Sequence, residues 1–191
     1  MLLRRPRALP LLLLLAVATL SCEDIAPEPE ILPCDQACKD AVAMRAMREM
    51  MKLLYNLTIQ GEPVGPQDHA VPCPFGGSAR VSGEVASNAE QGTTEVKLAS
   101  EFTSCGYLQI DDEPWENYEL KLSGNFQQEG TLTAQSSATT ALVIKGQKIF
   151  LEGVVHDPPQ AYNERNCTVE MNQNGNTVSG KICSRKAGFT F

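Results

Sequence analysis

The chain has 191 residues, of which 42% are hydrophobic and 20% are charged, a composition typical of one globular domain rather than of a disordered, collagenous or multi-spanning protein. Its 16 basic and 23 acidic residues give a net charge of −7. This balance argues against nucleic acid as a partner, because binding to the phosphate backbone depends on clustered Lys and Arg.

The N-terminal segment has the features of an export signal. Three arginines precede an apolar stretch from Ala8 to Leu20, which is too short and too early for a comfortable membrane span. Ser21 and Cys22 follow, and this order resembles the bacterial lipoprotein signal, in which residues 1–21 are removed and Cys22 becomes the lipidated first residue. The alternative is an ordinary secretory signal cut near Ala18 or Ser21. Both alternatives place the protein outside the cytosol.

Residues 22–33 are predicted to form a tether. Acyl chains on Cys22 would hold the protein on a membrane, since each buried CH₂ contributes about 0.8 kcal/mol. The following residues, EDIAPEPEILP, are acidic and Pro-rich and show no periodicity, which favours an extended spacer. Loss of the three arginines with the signal would leave a net charge of −10 on the mature chain.

The remaining cysteines indicate a disulfide-bonded domain at residues 34–191. They number six: Cys34, Cys38, Cys73, Cys105, Cys167 and Cys183. An even set in an oxidising compartment is typical of three disulfides, although sequence alone does not select the pairing. We favour Cys73–Cys105 and Cys167–Cys183 as local pairs, which leaves Cys34 and Cys38 to pair at a helix entry. Finger spacing is absent and the two histidines are isolated, so no metal or other cofactor is predicted.

One long helix is predicted from Asp35 to Ile59, with Asp35 as N-cap and Gly61 as a stop signal. The polar residues fall in one narrow arc: Arg45, Arg48, Glu49 and Lys52. The apolar residues fill the rest of the surface: Val42, Ala43, Ala46, Met47, Met50, Met51, Leu53, Leu54 and Leu57. Such a wide apolar surface must lie in a groove, on a sheet face or in a membrane interface.

Four methionines of this helix, Met44, Met47, Met50 and Met51, allow two interpretations. Their spacing would keep the thioether sulfurs close together, as a Cu(I) site requires. Met also fills irregular gaps in apolar cores, and this stripe continues into a run of leucines. We therefore predict core packing rather than a copper site.

Residues 60–77 contain four prolines and no periodicity, so they are predicted to be a crossing loop in which His69 and Asp68 are solvated. Beyond residue 77 the apolar residues recur with period two, which predicts about eight strands in an antiparallel meander. The predicted strands lie around residues 79–85, 95–103, 118–126, 132–134, 142–144, 149–155, 169–171 and 178–182.

A glycine recurs between two apolar residues in four of these strands. By alternation, Gly83, Gly124, Gly153 and Gly180 lie on the apolar face, where a glycine packs nothing itself. Either another backbone crosses the sheet there or the strands bend. The helix is a natural occupant, since its length of roughly 37 Å matches the roughly 34 Å width of eight strands. We therefore predict an α+β fold in which the N-terminal helix packs on the concave face of a curled antiparallel sheet.

The last hairpin leaves the pairing of Cys167 open. A two-residue turn at Asn174–Gly175 would align the apolar faces but place Cys167 opposite Ile182. A three-residue turn would oppose Cys167 to Cys183 and mismatch those faces, and a bulge near Lys181 would reconcile the two.

The strand pattern also supports a resemblance. A Cys-Pro-x-Gly-Gly segment before the first strand, Thr103-Ser-Cys105 after the second, and a closing Cys-x-Val…Val-Ser-Gly-x-Ile-Cys cover Cys73 to Cys183. This arrangement resembles uncharacterised cysteine-containing lipoproteins of Gram-negative soil bacteria. The resemblance implies a surface or periplasmic lipoprotein and implies no activity.

An acidic loop is the remaining candidate for chemistry. Asp111, Asp112 and Glu113 could provide oxygen ligands to Ca²⁺, although they lack the ligand spacing of a known calcium loop. Trp115 with Tyr107 and Tyr118 could instead stack on a sugar or peptide. A solvated loop is the simpler interpretation of this segment.

The function expected from these observations is non-enzymatic, because the sequence contains no phosphate loop, dinucleotide fingerprint or nucleophile elbow. We expect a cell-envelope lipoprotein that is anchored through Cys22 and has a binding or structural role with an unidentified partner. The alternative is a carrier that holds the acyl chain of an amphiphile between helix and sheet.

Overall fold

The structure, a computed structural model, describes residues 33–88, 92–133 and 140–191. The predicted signal at 1–21, the lipidation site Cys22 and all of the tether except Pro33 lie outside the described residues. Within the part that is described, no helix is both long and apolar enough to cross a membrane.

The described chain consists of one α-helix followed by a single antiparallel sheet of eight strands in the order of the sequence. The helix is α1 (Gln36–Thr58), and the strands are β1 (Gly65–Pro72), β2 (Ser78–Asn88), β3 (Thr93–Gln109), β4 (Tyr118–Thr133), β5 (Ala141–Val155), β6 (Gln160–Asn174), β7 (Thr177–Ile182) and β8 (Arg185–Thr190). A short 3₁₀ helix, Pro114–Glu116, lies between β3 and β4. The α+β class and the antiparallel sheet are therefore as the sequence predicts.

Helix α1 begins and ends where its capping residues indicate. The Asp35 carboxylate accepts a hydrogen bond of 2.9 Å from the backbone N–H of Cys38, which satisfies one free donor of the first turn. Ile59 is the C-cap, and Gly61 follows with a φ of 91°, a conformation that glycine adopts without strain.

The predicted crossing loop at 60–77 is wrong, because β1 lies within it. Its prolines are compatible with a strand since β1 is the edge of the sheet and pairs with β2 alone, so Pro66 and Pro72 interrupt no ladder on the outer side. The edge strand β8 was missed as well. The predicted strand at 118–126 and residues 132–133 of the next one belong to one strand, β4, whereas residue 134 lies outside the described residues. The predicted strands at 142–144 and 149–155 both belong to β5.

Helix and sheet share one apolar core. The four helix methionines Met44, Met47, Met50 and Met51 are each at most 3% exposed and belong to this core, together with residues from β2 to β7 and the loop after β1. The core-packing interpretation therefore accounts for them. The predicted division of the helix surface needs two corrections, since Leu57 is 55% exposed whereas Arg48 is only 7% exposed.

Bulges interrupt three of the long strands. The pairing register shifts between Phe102 and Cys105 on β3, between Gly146 and Ile149 on β5, and between Cys167 and Glu164 on β6. Each shift contains a residue with positive φ, namely Ser104 at 48°, Lys148 at 54° and Asn166 at 53°. A bulge bends its strand and increases the local twist.

The four glycines on the core face have a different cause from the predicted one. A Cβ on Gly83, Gly153 or Gly180 would lie 2.1 Å or less from a backbone oxygen of the neighbouring strand. At Gly124 it would lie 2.7 Å from the side chain of Ile149. Adjacent strands, rather than α1, therefore occupy the space that a side chain would need, and the expectation that the helix fills it is wrong.

All six described cysteines form disulfides, and each joins a pair that the sequence analysis favours. The bonds are Cys34–Cys38, Cys73–Cys105 and Cys167–Cys183, with Cα–Cα distances of 5.2, 5.3 and 4.9 Å. The pairs link the entry of α1, the β1–β2 loop to β3, and β6 to the end of β7.

In the last hairpin, the apolar faces are aligned and Cys167 still bonds to Cys183, through a geometry that the sequence does not predict. The β6–β7 loop consists of Gly175 and Asn176, one residue later than expected, and the pairing runs without a bulge near Lys181. Cys183 lies in the next turn with a φ of 48°, and its N–H donates to the carbonyl of Thr168 at 2.9 Å. The tight turn before β8 therefore brings Cys183 within bonding distance of Cys167.

Replacement of Gly83 tests the close approach of the strands. We expect Gly83→Ala to lower the free energy of unfolding by about 3 kcal/mol or more, because a φ of 139° is adopted almost exclusively by glycine and the new Cβ would meet the Lys97 carbonyl at 2.1 Å. Gly61→Ala is the matched control, since Gly61 has a positive φ of 91° but no atom within 4 Å of the Cβ position. Its expected cost is about 1 kcal/mol. Equal losses in urea denaturation would contradict the explanation.

Candidate binding groove

A groove of about 530 Å³ lies between one side of α1 and one end of the sheet. This volume is within the range of small-molecule sites, roughly 300–1,000 Å³. Helix residues from Arg48 to Asn56 form one wall. The other wall comes from the start of β3, the end of β4, the residue before β5, the end of β6 and the C-terminal Phe191. Neighbouring antiparallel strands start and end together, which gathers these residues at one end of the sheet.

The core face of the sheet changes from apolar to polar at the groove. In β4, Phe126 is followed two residues later by Gln128, and in β6, Met171 is followed in the same way by Gln173. Thr140 precedes Leu142 with the same spacing. Each of the three polar residues is less than a tenth exposed. Buried polar side chains at the ends of β4 and β6 and directly before β5 are unfavourable in an apolar core, so this end of the sheet is built differently from the rest.

Arg48 is the buried charge of the groove. Its Nε donates a hydrogen bond of 2.5 Å to Oε1 of Gln173, and Nε2 of Gln173 in turn donates to the carbonyl of Gly175 at 3.0 Å. The second bond fixes the amide of Gln173 so that its oxygen points to Arg48. The guanidinium is thereby oriented by a neutral partner that cannot balance its charge.

No carboxylate of the described residues lies within ion-pair distance of Arg48. Burial lowers the pKa of Arg48 below its usual value because it penalises the charged form, and the nearby Glu49 carboxylate offsets this only in part. Glu49 itself forms an ion pair of 3.4 Å with Lys52 at the groove. The side chains that line the groove therefore carry one positive charge in excess.

A buried carboxylate, Asp40, fixes α1 against the sheet. Asp40 is 1% exposed and accepts hydrogen bonds from Nε and Nη2 of Arg185 on β8, at 2.7 and 2.9 Å. It also accepts from the hydroxyl of Tyr162 on β6 at 2.8 Å and from Gln36 on the preceding helical turn at 2.9 Å. Arg185 makes a further ion pair with Glu164. Five groups on three elements thus meet at one point.

The pKa of Asp40 reflects this network. Burial alone would raise it, but the hydrogen bonds from Arg185, Tyr162 and Gln36, with the positive charge of Arg185, outweigh burial and lower the pKa below its usual value. The carboxylate is therefore charged at neutral pH in spite of its position in the interior.

Arg45 provides a second attachment of the helix. Its Nη1 forms an ion pair of 2.7 Å with Glu116, and its Nη2 donates to the carbonyl of Thr190 at 3.0 Å. The guanidinium carbon also lies 4.9 Å from the centre of the Phe189 ring. Arg45 and Asp40 together determine how α1 lies on the sheet and hence where Arg48 is placed.

The acidic loop has a structural role in the part of the chain that is described. Asn117 organises it, since its Oδ1 accepts from the N–H of Asp111 and its Nδ2 donates to the carbonyls of Asp111 and Glu113. Glu116 is engaged with Arg45. Trp115 is 50% exposed and Tyr118 is buried, so these aromatic rings do not form one stacking surface.

The two histidines lie in different environments. His69 is on β1 beside Gln67, at 2.9 Å, and the neighbouring Asp68 forms a bidentate pair with Arg80 instead. His156 is 8% exposed and lies near Cys34 and Cys38, with the ligand atoms of the three residues within 4.8 Å of one another. Both cysteines are bonded to each other, so they offer no thiolate to a metal.

An apolar cavity of about 20 Å³ lies between α1 and the sheet near Cys73 and Cys105. This volume is close to that of a single water molecule. An acyl chain therefore does not fit there while the helix is in place.

Comparisons with known proteins identify no relative: no family model matches the chain, and neither a curated protein nor a solved structure matches it significantly.

Replacement of Asp40 tests the attachment of the helix. We expect Asp40→Asn to lower the free energy of unfolding at pH 7 by about 3 kcal/mol, because a buried charge pair loses one partner. The native pKa lies below the unfolded value of about 3.9, so the contribution of the carboxylate is complete above that value and is lost as the pH falls through the native pKa. The difference between wild type and variant should therefore shrink below about pH 4.

The matched control for Asp40 is Glu164→Gln, which removes the other, more exposed carboxylate on Arg185 and should cost less. Denaturation by urea across pH 3–7 measures both variants. A gap between wild type and Asp40→Asn that does not change with pH would contradict the assignment.

Proposed function

We propose that this chain is a lipid-anchored lipoprotein of the cell envelope whose disulfide-bonded domain binds a small ligand without catalysing a reaction. The observation that carries the binding function is the groove of about 530 Å³ beside a buried arginine that has no carboxylate partner among the described residues. An uncompensated buried charge does not stabilise a protein. Binding of a ligand with the opposite charge would explain why Arg48 is buried at this position.

The cysteines support the envelope location and the anchor. The six cysteines of the described domain all form disulfides, which persist in oxidising compartments outside the cytosol. Cys22 is the one cysteine of the sequence outside this set of six, and Ser21 alone separates it from the apolar segment. It is therefore available for lipidation without breaking a pair, and the acidic, Pro-rich residues after it suit a tether.

The proposal includes a curled sheet with α1 on its concave face. The bulges at Ser104, Lys148 and Asn166 support curvature, because a bulge bends the strand that contains it. Contacts of α1 with both edge strands, β1 and β8, support a helix that spans the sheet. In this arrangement the groove is the part of the concave face that α1 leaves uncovered.

An amphiphile carrier is the second candidate. The space between helix and sheet is filled by core side chains, so an acyl chain would have to lie in the groove instead. Met51, Tyr55, Leu132 and Phe191 contribute apolar surface there. This combination of an apolar wall and a cationic residue favours an amphiphile over a purely polar ligand.

Lipidation is tested by replacement of Cys22. In a Gram-negative host fed with labelled palmitate, we expect Cys22→Ala to lose the label and to leave the membrane-anchored fraction, because the acyl chains have no attachment site. Ser21→Ala is the matched control, since it keeps a small residue before the cysteine and should keep the label. Absence of label from the wild-type protein would show that the signal is an ordinary secretory one, and label retained on Cys22→Ala would show that another residue is acylated.

The carrier candidate predicts a bound amphiphile. Native mass spectrometry of protein purified from membranes should then detect about one amphiphile per chain, held by burial of its apolar part in the groove. The domain after removal of acyl groups from Cys22 is the control. Protein free of amphiphile would exclude the carrier and leave the first proposal in place.

A further inference from the structure

The guanidinium of Arg48 has unused hydrogen-bonding capacity. An arginine carries five N–H donors in a planar fork, and Nε uses one of them on Gln173. The two terminal nitrogens make no hydrogen bond to another described residue. Among the described residues, Nδ1 of His156 is the one side-chain polar atom that is both fully enclosed and without a hydrogen-bond partner. The terminal nitrogens of Arg48 have no partner either, so they are not fully enclosed. Because Arg48 lines the groove, they are accessible from it.

We propose that this groove binds the carboxylate of a small organic acid through the terminal nitrogens of Arg48. The inference rests on the proposed binding function and adds the chemical class of the ligand. A guanidinium and a carboxylate form two parallel N–H···O bonds, which are shorter and stronger than bonds between neutral groups. Because Gln173 fixes Nε, the fork is held in one orientation before a ligand binds.

The local charge favours a monoanion. Glu49 and Lys52 pair with each other, so among the lining side chains Arg48 alone supplies the excess charge. The side chains of Gln128, Thr140 and Gln173, which line the sheet side of the groove, are neutral. One uncompensated positive charge matches one carboxylate, whereas a phosphate dianion would bring a second negative charge close to Glu49 without a cation to balance it.

The shape of the groove favours an acid with an apolar body. A volume of about 530 Å³ is far larger than a carboxylate group requires. Apolar side chains from three parts of the chain line the remaining space, namely Met51 and Tyr55 on α1, Leu132 on β4 and the C-terminal Phe191. Phe191 is 47% exposed, and contact with a ligand would cover it.

Methionine NMR tests this inference with a reporter inside the groove. Met51 lines the groove, whereas Met44 and Met47 are fully enclosed in the core and serve as internal controls. Mature full-length protein in lipid nanodiscs, with ¹³C-methyl methionine, is titrated with benzoate, with the uncharged benzyl alcohol and with phenyl phosphate. We expect a saturable shift of the Met51 signal with benzoate, at a lower concentration than with the other two compounds, and little change at Met44 and Met47.

The decisive variant is Arg48→Met, which keeps much of the side-chain volume and removes the charge. It should weaken benzoate binding by about tenfold or more, as loss of a charge-assisted bidentate pair predicts. Lys97→Met removes an exposed cation on β3 that does not line the groove, and it should change the affinity by less than about threefold. Arg48→Lys keeps the charge without the fork and should bind more weakly than wild type, and unchanged Met44 and Met47 signals verify the fold of each variant.

The outcomes separate this inference from the proposed binding function. Benzyl alcohol that binds as tightly as benzoate, or Arg48→Met that binds benzoate like wild type, would overturn the carboxylate inference and leave a ligand-binding groove. Tighter binding of phenyl phosphate would overturn it in favour of a phosphate ligand. If none of the three compounds moves the Met51 signal, both the inference and the binding function assigned to the groove are wrong.

Discussion

The buried carboxylate of Asp40 is the interaction on which the placement of the helix depends. It accepts hydrogen bonds from α1, from β6 and from β8. It therefore connects the start of the helix to strands that lie more than 100 residues later in the sequence. Arg48 follows Asp40 by eight residues, which is about 12 Å along the helix axis and about 80° around it. The contact that anchors α1 at Asp40 therefore also sets the depth at which Arg48 meets the end of the sheet.

The two buried charges of the helix differ in a way that separates structure from function. Asp40 has a full set of donors and the opposite charge of Arg185, as a buried ion must have to be tolerated. Arg48 has one neutral partner and a groove beside it. Local rules of folding are broken most often at functional sites, where the cost in stability is accepted for binding. This contrast within one helix is the physical basis for placing ligand binding at Arg48.

The sequence predicts those features that depend on neighbouring residues. The extent of α1 follows from the N-cap Asp35 and from the absence of Gly and Pro. An even cysteine count indicates three disulfides, but that count alone does not select the pairs. Edge strands are harder, because Pro66 and Pro72 are typical of loops and become acceptable only once β1 is known to lack an outer neighbour. The glycines on the core face could be located by alternation, but their cause lies in the adjacent strand, which a single segment does not specify.

The sequence contains an indication of the groove, namely polar residues at positions that strand alternation assigns to the core face. Gln128, Thr140 and Gln173 stand at positions where the period of each strand calls for an apolar residue. The sequence alone does not show that these three residues lie close together, because their proximity depends on the pairing register of β4, β5 and β6. Arg48 was assigned to a polar arc of the helix, and only the packing of α1 against β6 shows that it is buried.

A crystal structure of the mature chain grown with benzoate tests the central claim most directly. The account predicts the carboxylate in the groove, with its two oxygens roughly 2.7–2.9 Å from the terminal nitrogens of Arg48 and the Nε bond to Gln173 retained. The result that would contradict it is a guanidinium of Arg48 paired with a carboxylate of the protein itself, with benzoate bound elsewhere or not at all.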